Sequence, residues 1–179
     1  YKTLKALNFC RLYGGGPARI ARMLEMITED QLQHLQTTNA GPDHPYLTQA
    51  MEVIGLYDRV LPEVKKMLLQ TADTAKSQGY VQTLLGRKCR LAQGHTFKAL
   101  NRLVQGTAAD YMKLKLVELH QQRASTGLVL RFTVHDEIDG DCPDPHCREA
   151  VSTLLNTQSL DLSLPLLWSV STGPTWGEV

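Results

Sequence analysis

His135, Asp136 and Glu137 stand where two strand-like runs meet in "LVLRFTVHDEIDGDC", residues 128–142. Acids at a turn are ordinarily solvated turn formers. The run "LVLRFTV" argues for more, because it is apolar enough to be half or fully buried and would give the tip a stiff support. Metal-binding and catalytic groups are held best on such rigid elements. On a strand Asp136 and Glu137 face opposite sides, so one is the ligand and the other an adjusting group. A hard cation such as Mg²⁺ takes one or two carboxylates and completes its shell with water and substrate phosphates. Asp136 therefore implies a second carboxylate elsewhere and a phosphate-bearing substrate.

Two further sets of residues suit that substrate. Tyr1, Lys5, Phe9 and Tyr13 recur every four residues, giving one stripe of a helix with one cation and three rings. A lysine one turn from a phenylalanine can meet a triphosphate while the ring packs on a base or sugar. Ordinary core aromatics with a snorkelling lysine are the competing reading. In "NRLVQGTAAD" (101–110), Asn101 and Gln105 offer amides to base edges or sugars, and Arg102 offers a cation to phosphate. The small Gly-Thr-Ala-Ala that follows allows close backbone approach, either to a partner or in plain packing. The glycines of "YGGGP" (13–17) match neither GxxxxGK[ST] nor GxGxxG, so no nucleotide-binding loop of those kinds is read there.

The elements that must position these groups follow from pattern. A helix over 2–12 ends at the glycines. A second runs about 17–26 with Pro17 in its first turn, and a third over 28–35 has Thr28 as N-cap. Residues 37–45 form a loop. A long helix covers about 46–78, bent at Pro62, with Gly79 as its C-cap. Residues 80–86 fit a strand, and the stretch through "GRKCR" (86–90) fits a basic connection. A helical pattern over 96–125 is interrupted near 105–110. The hairpin, a helix over 146–156 and a last strand over 164–173 complete an α+β chain with antiparallel pairing.

Composition agrees with a globular protein: 179 residues, 42% hydrophobic, 21% charged, net charge +1. Nucleic-acid binding would have to use local positive charge, as in "GRKCR" with Lys98 and Arg102. Cys10, Cys89, Cys142 and Cys147 form no CxxC pairs, so reduced structural thiols in a cytoplasmic protein are expected. Cys142, His146 and Cys147 are only a thin metal candidate. No apolar run of 18 or more residues is present, so no membrane partner is expected.

Taken in order, these stretches resemble the C-terminal fingers and palm of a family A DNA polymerase, of bacterial or phage type. "KALNFCRLYG" (5–14) resembles the fingers-helix motif, and "GYVQTLLGRKCRL" (79–91) the Gly-Tyr-Val-x-Thr-x-x-Gly-Arg-Arg stretch. "NRLVQGTAADYMKL" (101–114) resembles the Asn-x-x-x-Gln-Gly-Thr-Ala-Ala-Asp helix, and "VHDEI" (134–138) the palm hairpin. "LPLLWSVSTGPTW" (164–176) is similar to the closing strand. The resemblance implies a partial right-hand polymerase fold, with a helical fingers subdomain over about 1–95 and an antiparallel palm portion over 96–179. It implies two Mg²⁺ ions in the complete enzyme, with Asp136 as metal ligand and His135 and Glu137 beside it at the primer end. It gives Lys5, Phe9 and Tyr13 to the incoming dNTP. A phenylalanine rather than tyrosine at Phe9 implies poor acceptance of dideoxynucleotides. Arg87, Asn101, Arg102 and Gln105 are assigned to primer–template DNA.

The sequence also departs from the motif. Tyr1 stands where the family has an arginine four residues before the lysine, and Cys10 replaces a glycine. Residues 28–56 match least. The family's other palm aspartate normally lies N-terminal to the fingers helix, and no thumb or exonuclease is expected within these 179 residues. The expectation is a C-terminal piece or a split half that polymerises only with an N-terminal segment. The alternatives are a non-catalytic remnant that binds primer–template or a partner, and a metal nuclease using His135, Asp136 and Glu137.

Overall fold

The computed structural model describes residues 2–178. The chain packs as two compact units, one running through Thr107 and the other from Ala108 onward.

The first unit is mainly helical. Helix α1 (Lys2–Leu12) stops at Gly14, which takes the left-handed conformation with φ +75°. Helix α2 (Pro17–Met23) starts with proline at its first position, where the missing N–H would have had no partner. Helix α3 (Glu29–Thr37) begins on a capping box: Thr28 Oγ1 accepts from the Gln31 N–H, and Gln31 Oε1 accepts from the Thr28 N–H. The expected long helix is two helices, α4 (Thr48–Val60) and α5 (Pro62–Gln78). Pro62 clashes with a helical preceding residue, so Leu61 leaves the helix (φ −125°, ψ 63°) and the chain breaks rather than bends. Leu7, Ile20, Ala21, Ile27, Leu35, Leu47, Ala50, Ile54 and Tyr57 form the core of this bundle.

Gly79 closes α5 at φ +76°, the left-handed cap that its position suggests. Strand β1 is only Tyr80–Gln82. It pairs antiparallel with β2 (Lys88–Arg90), in register Tyr80↔Arg90, Val81↔Cys89 and Gln82↔Lys88. The basic segment is thus partly a strand, because alternation turns Val81 and Cys89 onto Ala75 and Ala99 and leaves Lys88 and Arg90 exposed.

Helix α6 (Ala99–Gln121) runs without interruption through 105–110 and across the boundary between the units. Gly106 does not break it. A Cβ at Gly106 would lie 2.9 Å from Thr83 Cγ2 and 3.1 Å from Cys89 Sγ, so the missing side chain is what lets the β1–β2 hairpin sit against the helix.

The second unit contains the end of α6, the single turn α7 (Arg123–Thr126), strands β3 (Val129–Val134) and β4 (Glu137–Asp141), and helix α8 (Pro145–Asn156). Asp144 caps α8 by accepting from the Cys147 N–H at 2.8 Å. Leu119, Cys147, Val151 and Leu155 form the core, with Leu128, Leu130, Ile138, Trp168 and Val170 packed on it. β3 is less buried than its composition suggests. A bulge at Arg131 shifts the register from Leu130↔Gly140 to Phe132↔Asp139. Beyond it Phe132 and Val134 face away from the core and are exposed, with Phe132 edge-to-face on Trp176. Residues 164–173 are not a strand. Both backbone groups of Trp168 are taken by the Asn156 amide, at 2.9 and 3.1 Å, which replaces a neighbouring strand.

Candidate functional site

Each unit carries one part of the candidate chemistry. On α1, Lys5 Nζ lies 5.8 Å from the Phe9 ring centroid, and the Phe9 and Tyr13 rings are 5.6 Å apart. Phe9 and Tyr13 are about two-fifths exposed, 42% and 40%, so the stripe is a surface and not core. Tyr1 lies outside the described residues. Two features hold the end of this helix. The absent Cβ of Gly14 leaves room for Phe97, whose carbonyl oxygen would be 2.6 Å from it, and the absent Cβ of Gly15 leaves room for the Cys10 thiol. Gly14 and Gly15 are therefore packing seats. Burial pushes the Cys10 thiol up, against the pull of Arg19 and Arg11.

Arg102 and Gln105 are exposed on α6, and Asn101 is half-buried one turn before Gln105. Arg87 also braces its own hairpin. Its guanidinium donates to the Gly106 carbonyl at 3.0 Å, its backbone N–H donates to Thr83 Oγ1 at 3.0 Å, and the Leu84 N–H donates to Thr107 Oγ1.

In the second unit the β3–β4 hairpin turns on His135 and Asp136, between the paired residues Val134 and Glu137. Asp136 therefore sits in the bend and not on a strand, so the alternation that separates neighbours on a strand does not apply to it. His135 has φ +54°, a conformation that a plain hairpin would give to glycine. Backbone strain of this kind is concentrated at functional sites. All three tip residues are exposed, and among the described residues no side-chain hydrogen bond or ion pair engages them.

The donor set accommodates a hard cation only in part. Asp136 supplies one exposed carboxylate with Glu137 beside it, enough for an ion that draws its other ligands from water and phosphate. Among the described residues no three His, Cys, Asp or Glu side chains converge on a metal site. The buried Cys147 thiol is pushed up to about 12, first by burial and then by its hydrogen bond with Cys142.

A match to the family model "DNA polymerase family A" extends over residues 2–178. The chain belongs to DNA polymerase family A. Among curated members, it is 29% identical over 188 residues to DNA polymerase I of Deinococcus radiodurans, covering 98% of this chain and 18% of that protein. It is 33% identical over 133 residues to DNA polymerase I of Chloroflexus aurantiacus, covering 66% of this chain and 14% of that protein. It is 32% identical over 145 residues to the DNA-directed DNA polymerase of Pseudomonas phage M6, covering 78% of this chain and 20% of that protein. The chain thus spans a fifth or less of these relatives' length. The fold is similar to that of the POL domain of Pol1 from M. smegmatis in complex with DNA primer-template and dNTP. That likeness has a TM-score of 0.63 at 23% identity, over 87% of this chain and 27% of that one. The helical and antiparallel α+β architecture is that of part of a family A polymerase domain.

One charged residue escaped the sequence reading. Lys115 is fully buried. Its ammonium donates to Glu118 Oε2 (2.9 Å), Ser159 Oγ (2.7 Å) and the carbonyls of Thr157 (2.6 Å) and Leu154 (3.3 Å), and it lies 5.6 Å from the Tyr111 ring centroid. The signal was present: Tyr111, Lys115 and Leu119 are spaced by four on one face, with a lysine between two apolar residues. Among the described residues no helix is long and apolar enough to cross a membrane.

Proposed function

We propose that this chain is the fingers (about 1–95) and palm (about 96–179) of a DNA-directed DNA polymerase. It would add dNTPs to a primer 3′ end together with an N-terminal segment that carries the other metal-binding aspartate. The observation that carries this reading is the family match over residues 2–178, with His135, Asp136 and Glu137 at an exposed hairpin tip. Primer–template DNA and dNTPs are the partners named for the structurally similar Pol1 domain.

In this reading Asp136 holds Mg²⁺, with Glu137 and His135 beside the primer end. With Asp136 and the aspartate of the N-terminal segment holding two such ions, one would lower the pKa of the primer 3′-hydroxyl and the other would balance charge on the leaving pyrophosphate. Lys5 pairs with the triphosphate as a point charge. Phe9 packs by the sugar and base, and Tyr13 flanks the insertion site. Asn101, Arg102 and Gln105 line the primer–template, and Arg87 contributes there in addition to bracing its hairpin.

The test is reconstitution with a separately expressed thumb–palm segment, Mg²⁺, primed template and dNTPs. Extension is expected, and Asp136→Ala should lower it by about 10³-fold, the scale for removing a preorganised electrostatic group, with little change in DNA affinity. Extension that survives Asp136→Ala would refute the reading. DNA binding that falls steeply with salt, with no incorporation in any pairing, would assign the chain to a non-catalytic remnant instead.

A further inference from the structure

The helix that carries Lys5, Phe9 and Tyr13 is clamped on its other side by polar contacts that core packing does not require. Tyr57 and Asp58 are neighbours near the end of α4. The Tyr57 hydroxyl donates to Asn8 Oδ1 at 2.5 Å, and Arg11 Nη2 donates to Asp58 Oδ1 at 2.7 Å. The Arg11 and Asp58 side chains are only 17% and 13% exposed. Lys65 of α5 approaches the other oxygen of Asp58 at 3.4 Å. Next to Asn8, Leu7 enters the core. At about 100° per residue, Asn8 and Arg11 lie roughly 130° around α1 from the Lys5–Phe9–Tyr13 stripe.

Two clamps three residues apart fix how far α1 is rotated about its own axis, which apolar contacts through Leu7 alone would not. Among the described residues the hold on Arg11 is through a single nitrogen, and its buried Nε has no hydrogen-bond partner. Arginine–carboxylate pairs are strongest when two parallel bonds form, so the angle of α1 is sensitive to what Asp58 offers.

We propose that Asp58 is a positioning residue for nucleotide binding: held against Arg11, it sets the angle at which Lys5, Phe9 and Tyr13 meet the incoming triphosphate. This rests on the polymerase reading above. Asp58 touches no substrate; it acts through Arg11 and the helix.

The experiment uses the reconstituted polymerase and single-nucleotide incorporation. Asp58→Asn should raise KM for dNTP about tenfold, since sub-ångström misplacement of a binding group has effects on this scale. kcat should change less than about twofold, with primer–template affinity close to wild type, whereas the melting temperature should fall because a largely buried ion pair is broken. Asp58→Glu should recover part of the loss. Arg11→Met should show the same KM effect, and the double variant Arg11→Met/Asp58→Asn should be no worse than either single one, because both remove one contact. Lys65→Met should leave KM unchanged. An unchanged KM in a folded Asp58→Asn enzyme overturns the proposal. So does a parallel fall in kcat and in DNA affinity at a temperature where the variant is folded, which would mark Asp58 as a general stabiliser. A wild-type pairing that incorporates nothing defeats the polymerase reading and this proposal with it, whereas an active wild type with an indifferent Asp58→Asn defeats this proposal alone.

Discussion

Replacing Lys115 with methionine keeps most of its volume and removes its charge, so the variant isolates what the ammonium does. Removing one partner of a buried ion pair typically costs about 3–5 kcal/mol, because the remaining charge stays behind. Here the carboxylate left behind, Glu118, has a side chain 24% exposed and can be reached by water. The carbonyls of Leu154 and Thr157 and the hydroxyl of Ser159 would also lose a charged donor. These considerations place Lys115→Met near the lower end, at about 3 kcal/mol. With a urea m-value of roughly 1.5 kcal/mol/M, the midpoint should fall by about 2 M. Tryptophan fluorescence reads this cleanly, because both tryptophans, Trp168 and Trp176, lie in the second unit. Lys115→Met/Glu118→Gln should regain about 1 kcal/mol by neutralising the stranded carboxylate. A midpoint that moves by less than about 0.3 M at unchanged m would refute the view that this ammonium holds the end of α8 against α6.

Two further outcomes follow from the packing. Gly106→Ala should destabilise the chain by about 1–3 kcal/mol, even though alanine is the better helix former by about 1 kcal/mol. The new methyl would meet Thr83 Cγ2 and Cys89 Sγ, and hydrogen exchange in β1 and β2 should accelerate while that in α3 does not. Cys147 should be the last cysteine alkylated at pH 8, since its thiol is pushed up to about 12. Its folded value lies above the ordinary 9.0, so its contribution to stability is fully present below pH 9 and is lost as pH rises toward 12. Alkaline unfolding followed by labelling at Cys147 checks both.

Local chemistry was the most legible part of the sequence. Thr28, Pro17 and Gly79 announce helix ends through hydrogen bonds and backbone dihedrals that involve only a few neighbouring residues, and the structure shows those ends. Errors arose where a distant partner decides the outcome. Gly106 looks like a break until the β1–β2 hairpin is placed against it. "LPLLWSVSTG" has strand composition, but the Asn156 amide satisfies Trp168 in place of a ladder. For the candidate site, the stripe Lys5–Phe9–Tyr13 and the tip His135–Asp136 could be found from spacing and motif order. The clamps behind α1 could not, because Arg11 and Asp58 are 47 residues apart.

The bulge at Arg131 has a consequence for how this segment can change. Leu128, Leu130, Phe132 and Val134 alternate as one continuous apolar face, yet the extra residue sends the last two to the other side and brings Thr133 opposite Ile138. Everything from Phe132 to the tip therefore depends on counting as well as on chemistry. A codon gained or lost elsewhere in β3 is a phase error that would rotate His135 and Asp136 by half a turn about the strand. Loss of Arg131 itself would leave the phase beyond it intact. Variation in this stretch should accordingly be strict in length, with position 131 as the place where a deletion can be absorbed.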